Sequence, residues 1–347
     1  MIKAGIMGST GYVGSELIRI LYQHPQVEIK VLTSKNHNDQ AFNSVYPNFS
    51  KICEIKCGEN DIDKIAKQLD IVFLALPHGV TSGILTESIL KDVKVIDLSA
   101  DFRLKSIEQY EKWYKVKHDN ELLLNRAVYG LSEWKRKEIA SSRLITNPGC
   151  YPTCSLLCLL PLIKEGIIEE KNIIIDAKSG VSGAGRTLAL TTHYSECNES
   201  IKAYNVLSHR HTPEIEEQLN ELSENEISII FTTHLVPMNR GILCTCYGNL
   251  KSAFDYDTVR KIYEKYYKNE FFIRLMKKGV FPETKWVKGS NYCDIGFSID
   301  EKRDKIIIIG VIDNLIKGAA GQAVQNMNLM FNLDENIGLQ SVPMFPI

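Results

Sequence analysis

Three short stretches carry residues of the type and spacing that chemistry needs. Cys150 stands in "NPGCYPT", after the turn Asn147-Pro148-Gly149 and before Pro152 and the apolar run Leu156, Leu157, Leu159, Leu160 and Ile163. Proline suits the first turn of a helix, where its missing N–H costs nothing. A buried helix is therefore expected to begin here, with Cys150 at or just before its N-cap. The open N–H groups and the positive end of the helix dipole favour a thiolate at that place, each pKa unit being worth about 1.4 kcal/mol. Such a thiolate can attack an acyl carbon and hold it as a thioester. The second stretch, His209-Arg210-His211, lies in the loop before Thr212-Pro213-Glu214, where a further helix is expected to start. Two imidazoles around a guanidinium offer a proton shuttle and a phosphate contact. The third is Gly8-Ser9-Thr10-Gly11-Tyr12-Val13-Gly14, whose glycines let backbone N–H groups approach a pyrophosphate.

The elements that must position these residues follow from periodicity. "IKAGIM" reads as a strand and "YVGSELIRIL" as an amphipathic helix ended by Pro25. "VEIKVLTS" is a second strand, which completes a β-α-β unit around the glycine turn. At the end of the second strand a carboxylate would bind the ribose 2′-OH of NAD, but the residues are Thr33, Ser34 and Lys35. Hydroxyls and an ammonium suit a 2′-phosphate, so NADP(H) is the expected cofactor. "DIVFLALP" and "VKVIDLS" give further strands. Ligands bind at the carboxyl ends of such strands, which places His78 and Arg103 toward the nucleotide side, His78 as a positioning or capping residue. "EISIIFTTHLVPM", "GILCTCYGNL", "CDIGFSID" and "KIIIIGVIDNL" read as an antiparallel sheet in the second half. The charged stretch 105–117 reads as a surface connection.

The bulk properties narrow the class. A chain of 347 residues is too long for one ordinary core and is expected to form two domains. With 41 basic and 42 acidic side chains and no run of like charge, nothing favours nucleic acid or an anionic membrane as a partner. The apolar runs fall short of the roughly 20 residues of a membrane helix, and no signal segment is evident, so a cytoplasmic location is expected. The nine cysteines show no CxxC pair and no zinc spacing, which reads as reduced thiols without a metal. Cys154, Cys158, Cys244 and Cys246 read as packing residues. A Tyr-x-x-x-Lys pair, which a short-chain dehydrogenase would need on a helix, occurs as Tyr247 and Lys251 at the end of a strand, the wrong setting.

Taken together, "GSTGYVGSELIRIL", "LPHG", "DLSADFR", "VYGLSE", "NPGCYPT", "KSGVSGAGR", "HRHTPEIE", "HLVPMNRGI", "GSNYCDIG" and "DNLIKGAAGQAVQNMN" resemble the N-acetyl-γ-glutamyl-phosphate reductases and, more distantly, the aspartate-semialdehyde dehydrogenases. The resemblance implies an α/β chain with a Rossmann-type NADP-binding domain, 1–149 plus 318–347. It also implies an α+β catalytic and oligomerisation domain with a mainly antiparallel sheet, 150–317. It implies NADPH-dependent reduction of an acyl phosphate to a semialdehyde with release of inorganic phosphate, in arginine biosynthesis, by a homodimer or homotetramer. N-acetyl-aminoadipyl phosphate and aspartyl phosphate stay open as alternative substrates, since one methylene in a pocket is worth only about 1–3 kcal/mol. Carried onto this chain, the nucleophile is Cys150 and the acid/base lies in the His-Arg-His segment, His209 preferred over His211. Ser182, Gly183, Asn314 and Gly318 match cofactor-contacting positions. Arg103, Asn147, Arg210, His211 and Glu214 are candidates for the substrate.

Overall fold

The computed structural model describes residues 1–346, which divide into two compact units. The first comprises Met1–Pro148 and Ala319–Gln340; the second comprises Gly149–Gly318 and the segment from Ser341.

The first unit is built on seven strands: β1 (Ile2–Met7), β2 (Val27–Thr33), β3 (Cys57–Gly58), β4 (Ile71–Leu74), β5 (Lys94–Asp97), β6 (Val128–Tyr129) and β7 (Leu144–Thr146). They lie in the order β3-β2-β1-β4-β5-β7-β6, every pairing parallel. A parallel sheet is covered on both faces, so its strands are continuous apolar runs, as in "IVFL" of β4, all four residues buried. The expected β-α-β unit is present, with the helix Tyr12–Leu21 between β1 and β2 burying Leu17, Ile18, Ile20 and Leu21. The helix Gly321–Met330 belongs to this unit and is buried along its whole length.

The stretch 105–117 differs from its reading as a surface connection. Ile107–Tyr114 is a helix, capped by the Ser106 side chain on the Gln109 N–H at 3.2 Å. Its charges line the outside, while Tyr110 and Tyr114, four residues apart, turn inward and stack at 4.8 Å. Tyr110 is there to serve Asp101. The buried Asp101 carboxylate accepts hydrogen bonds from the Tyr110 hydroxyl (2.7 Å) and from the Gly79 and Ser82 N–H groups (2.7 and 3.0 Å). The His78 ring accepts from the Ala100 N–H at 3.1 Å, and the His118 ring bonds the Asp101 carbonyl at 2.7 Å. His78 is thus the capping residue its position led us to expect. Together these bonds knot the loops after β4 and β5.

The second unit holds β8 (Ile173–Ser179), β9 (Lys202–Tyr204), β10 (Ile229–Leu235), β11 (Ile242–Asn249), β12 (Ile273–Leu275), β13 (Cys293–Asp300) and β14 (Lys305–Ile312), in the order β12-β13-β14-β11-β8-β10-β9. The sheet is mixed: β8 runs parallel to β10 and β12 to β13, and the other pairings are antiparallel. The interior strand β8, between β11 and β10, went unread in the sequence, where "NIIIDAK" has only a short apolar run. One face packs on the helices Cys150–Lys164, Thr212–Asn220 and Tyr256–Tyr267. Cys154 and Cys158 meet Cys244, Cys246 and Cys293 there, all five with no exposed surface. A methyl group on Gly310 would lie 2.4 Å from the Cys158 sulfur and 3.1 Å from that of Cys154, so the thiols fill the space a side chain would need. Among the described residues no helix is long and apolar enough to cross a membrane.

Replacing Tyr110 by Phe removes one donor from a buried carboxylate and keeps the ring stack. The expected loss is about 1.5–3 kcal/mol, the range for hydrogen bonds to charged groups, read as a lower urea midpoint at unchanged slope.

Candidate active site

Gly149 is the N-cap of the Cys150 helix and Cys150 its first residue, with residues 151–163 all buried behind it. Several N-terminal N–H groups of this helix have identified partners. That of Gly149 donates to Glu214 Oε1 at 2.8 Å, Pro152 has none, and that of Thr153 closes the first turn on the Gly149 carbonyl at 2.9 Å. No backbone hydrogen bond is made by the Tyr151 N–H, which follows Cys150 directly in the first turn. Gly318 packs directly on the cysteine: a Cβ there would stand 2.8 Å from Cys150 Cβ. Any side chain at 318 would therefore displace the sulfur, a reason for this glycine that no turn signal in the sequence discloses.

The two histidines gather around Tyr151. Its ring lies 5.5 Å from that of His209 and 6.0 Å from that of His211, in edge-to-face contacts, and the two imidazoles are 4.9 Å apart. Phe231 and Tyr204 complete an aromatic wall around His209, at 5.2 and 5.7 Å. The hydroxyls of Tyr151 and Tyr204 meet at 3.0 Å, and burial raises the pKa of both. His209 Nδ1 accepts the His211 N–H at 3.1 Å, so the neutral ring carries its proton on Nε2. Burial, helped by the Arg210 charge, pulls its pKa down to about 4, and the ring is neutral at pH 7. Arg210 itself is exposed. Tyr151, Tyr204 and Phe231 escaped the sequence reading because aromatic residues near a candidate nucleophile look like ordinary core.

The remaining residues of this unit fall into one turn system. Asn314 donates from Nδ2 to Ser182 Oγ at 3.0 Å and accepts the Gly241 N–H at 2.7 Å, and Gly183 follows in the same short helical turn. Lys317, unremarked in the sequence, is wholly buried one residue before Gly318, its ammonium 5.6 Å from the Phe272 ring centre.

In the first unit, the glycine loop has the shape a pyrophosphate needs. Gly8 adopts φ +77°, and a Cβ on it would fall 2.2 Å from the Ala75 carbonyl oxygen. A Cβ on Gly14 would fall 2.4 Å from the Gly8 oxygen, so the helix start packs against the turn without room for a methyl group. Gly11 caps the helix with no side-chain hydrogen bond, which leaves the anion-facing N–H groups uncovered by a capping side chain. Ser9 is tied to the Thr33 carbonyl at 2.9 Å, Thr10 shares a hydroxyl pair with Ser34 at 2.7 Å, and Tyr46 holds the Thr10 carbonyl at 3.0 Å. Tyr12 and Lys35 are exposed and Val13 is half-buried. These residues fit a dinucleotide, and the Thr10–Ser34–Lys35 edge fits a 2′-phosphate.

Arg103 and Asn147 are more committed than the sequence disclosed. Arg103 is buried, its Nε donating to the Asn147 carbonyl at 2.9 Å and its Nη2 to that of Leu98 at 3.1 Å. The Asn147 amide donates to the Ala319 carbonyl and accepts from Asn326, both at 3.1 Å. Asp97, beside them in the chain order of β5, is pushed up to about 7 by burial and the nearby Asp101 charge.

Comparison with known proteins agrees with this architecture. The family described as "Semialdehyde dehydrogenase, NAD binding domain" matches residues 3–142, and "Semialdehyde dehydrogenase, dimerisation domain" matches 150–314. Among solved structures, aspartate semialdehyde dehydrogenase II from Vibrio cholerae superposes with a TM-score of 0.72 at 18% identity, over 96% of this chain and 98% of that one. The Candida albicans enzyme, solved with NADP, gives 0.67 at 17%, over 97% and 99%. At such identity the likeness speaks for the fold alone. Proteins named N-acetyl-gamma-glutamyl-phosphate reductase match end to end: that of Lachnoclostridium phytofermentans is 55% identical over 346 residues, covering 100% of both chains. That of Campylobacter jejuni is 53% identical over 340 residues, 98% of both. A nucleophile-bearing helix start, a paired-histidine loop and a dinucleotide cradle thus sit in a chain that belongs to the N-acetyl-γ-glutamyl-phosphate reductase family.

Proposed function

We propose that this protein reduces N-acetyl-γ-glutamyl phosphate to N-acetyl-glutamate semialdehyde with NADPH, releasing phosphate, by way of a thioester on Cys150. The observation that carries the reading is the Cys150 helix start, fixed by Glu214 and Gly318 and walled by the aromatic cluster that holds His209 and His211. The Cys150 thiolate attacks the acyl carbon of the mixed anhydride, the carbonyl oxygen takes up the negative charge, and phosphate leaves as the thioester forms. The Tyr151 N–H is the backbone donor to that oxygen, a kind of contact worth about 3–4 kcal/mol where it has been removed in other enzymes. Neutral His209 presents its Nε2 proton as a second donor, and His211, half-buried at the start of its helix, exchanges protons with solvent. Arg210 supplies a mobile positive charge for phosphate or carboxylate. Arg103 supplies a fixed one, its guanidinium orientation set by two carbonyls. When bound in the glycine loop, NADPH supplies the hydride that takes the acyl group to the aldehyde level. Ser182, Gly183 and Asn314 form the turn we assign to its nicotinamide end, and Ser34 and Lys35 the groups at its 2′-phosphate.

The second unit also supports assembly. Ile230, Ile174, Tyr247 and Ile307 stand side by side across β10, β8, β11 and β14, on the sheet face away from the helices, each more than a third exposed. An apolar row of this kind marks an interface, and we assign it to a second copy of the chain in at least a homodimer. Nine free cysteines accord with a reducing, cytoplasmic setting.

The decisive assay runs in reverse: phosphate-dependent reduction of NADP⁺ by N-acetyl-glutamate semialdehyde, against aspartate semialdehyde and the one-carbon-longer N-acetyl aldehyde. The first substrate is expected to be preferred and the activity to vanish in Cys150→Ser. Preference for a competitor would move the substrate, and a fully active variant would remove the nucleophile. For the cofactor, Gly14→Ala is expected to weaken NADPH and NADH alike at least tenfold, whereas Lys35→Ala raises the KM for NADPH alone. An unchanged KM there would leave the preference for NADP without its cation. His209 also sets a pH dependence. In the folded protein its pKa lies at about 4, below the ordinary 6.5, so the unfolded chain binds the extra proton between these values. The stabilisation is whole above about pH 6.5 and is lost as pH falls toward 4, about 2 kcal/mol being gone at pH 5. The stability difference between wild type and His209→Gln, from urea unfolding, should shrink by that amount between pH 7 and pH 5.

A further inference from the structure

Two stretches of the sequence, "VYGLSE" and "GQAVQNMN", lend no residue to the nucleophile helix, the histidine loop or the glycine cradle. They meet instead in a buried chain of hydrogen bonds within the first unit. Gln322 Nε2 donates to Ser132 Oγ at 2.8 Å, and that hydroxyl donates to Asn326 Oδ1 at 2.7 Å. Asn326 Nδ2 donates to the Gly130 carbonyl at 2.8 Å and to Asn147 Oδ1 at 3.1 Å. Asn147 Nδ2 in turn donates to the Ala319 carbonyl at 3.1 Å. None of the four side chains is more than 1% exposed. The direction of the chain is fixed, because a turned Asn326 amide would set its oxygen against two other oxygens. Gly130 makes room for it: a Cβ there would stand 2.4 Å from Asn326 Nδ2.

We infer that Asn326 is a positioning residue for the Cys150 nucleophile, acting through Asn147, whose side chain serves the backbone and not the substrate. The chain leaves the first unit after Pro148 and comes back to it at Ala319. Pro148 offers no N–H, so Asn147 is the last residue of the outgoing run whose N–H the first unit can hold. That N–H donates to the Asp97 carbonyl at 2.7 Å, and the Asn147 carbonyl accepts from Arg103 Nε at 2.9 Å. Its side-chain amide ties the outgoing run to the returning one at Ala319. In the second unit the same two runs touch again, where a Cβ on Gly318 would stand 2.8 Å from Cys150 Cβ. Where the outgoing run is held therefore decides where the thiol begins.

The resemblance offered Asn147 as a contact for substrate, and the two roles make different demands. A ligand contact needs an accessible amide, whereas Asn147 is 1% exposed and both ends of its amide have protein partners. A positioning role needs a fixed orientation, which the Ser132 hydroxyl and the Asn326 amide impose from behind. Apolar side chains would fill the same space without the desolvation cost of buried amides. What the amides gain is direction, since their bonds are all satisfied in one arrangement only.

The inference rests on Cys150 being the nucleophile, but its deciding readout needs no turnover. Asn326→Asp keeps the acceptor for Ser132 and replaces the donor facing Asn147 by an oxygen. In the protein without ligands, Cys150 alkylation by iodoacetamide at pH 7, followed by peptide mass spectrometry, should slow severalfold as the thiol leaves its place at the helix start. Cys154 and Cys158 staying unmodified marks the second unit as folded. In the reverse assay kcat should fall about tenfold to a hundredfold, the cost of a misplacement of about 1 Å, with both KM values kept within about threefold. Should Asn326→Asp not fold, Ser132→Ala frees the Asn326 amide to turn and should slow alkylation by a smaller factor. Alkylation at the wild-type rate in Asn326→Asp, or in Ser132→Ala where only that variant folds, would overturn the inference whatever kcat does. If the wild type turns over none of the aldehydes while alkylation still slows, the proposed reaction fails and the role of Asn326 stands.

Discussion

The start of the Cys150 helix is the constraint to which the second unit is built. A helix whose thirteen residues 151–163 are all buried cannot slide or tilt without opening the core, so the position of its first turn is fixed from behind. From in front it is fixed by Glu214 on Gly149, and from the side by Gly318, where the absence of a side chain lets the backbone come within contact of Cys150. The sheet carries the consequence: β8, β10 and β11 support the turn of Ser182 and the wall of Phe231, and β14 leads through Asp313 into the segment that ends at Gly318. Asp313 binds the N–H groups of Leu315 and Gly289 at 2.9 Å, and its own carbonyl takes that of Gly318.

The first unit solves a different problem, that of holding irregular backbone still at the carboxyl ends of parallel strands. It does so with buried side chains that accept backbone N–H groups. Asp101 takes those of Gly79 and Ser82, Asp97 that of Ser99, and the His78 ring that of Ala100. Arg103 does the converse for two carbonyls. Loops fixed in this way keep their shape without a ligand, which lowers the ordering cost of binding one.

How much of this could be read from the chain depends on the range of each interaction. The glycine turn, the helix after it and the helix beginning at Cys150 are local, and "GSTGYVG" and "NPGCYPT" disclose them. The 107–114 helix was hidden because its eight residues carry only two inward tyrosines against a charged background, too little for a periodic signal. β8 was hidden because only part of it is apolar, although it lies inside the sheet. Glu214, Gly318 and Tyr204 act across 65, 168 and 53 residues respectively, and no local pattern encodes which partner such a side chain will meet. Arg103 and Asn147 stand out in the sequence as polar residues after β5 and β7, but the backbone carbonyls they bond, those of Asn147, Leu98 and Ala319, are set by the folded loops and by no local pattern.

The five thiols packed between the Cys150 helix and the sheet have a practical meaning. Cys154, Cys158, Cys244, Cys246 and Cys293 are closed to any reagent while the core is shut, whereas Cys150 at the helix start is half-buried. The protein thereby carries two clocks in one chemistry. Modification of Cys150 counts the fate of the site, and the much slower modification of the other five counts how often the second unit breathes open, residue by residue, without any label having to be introduced.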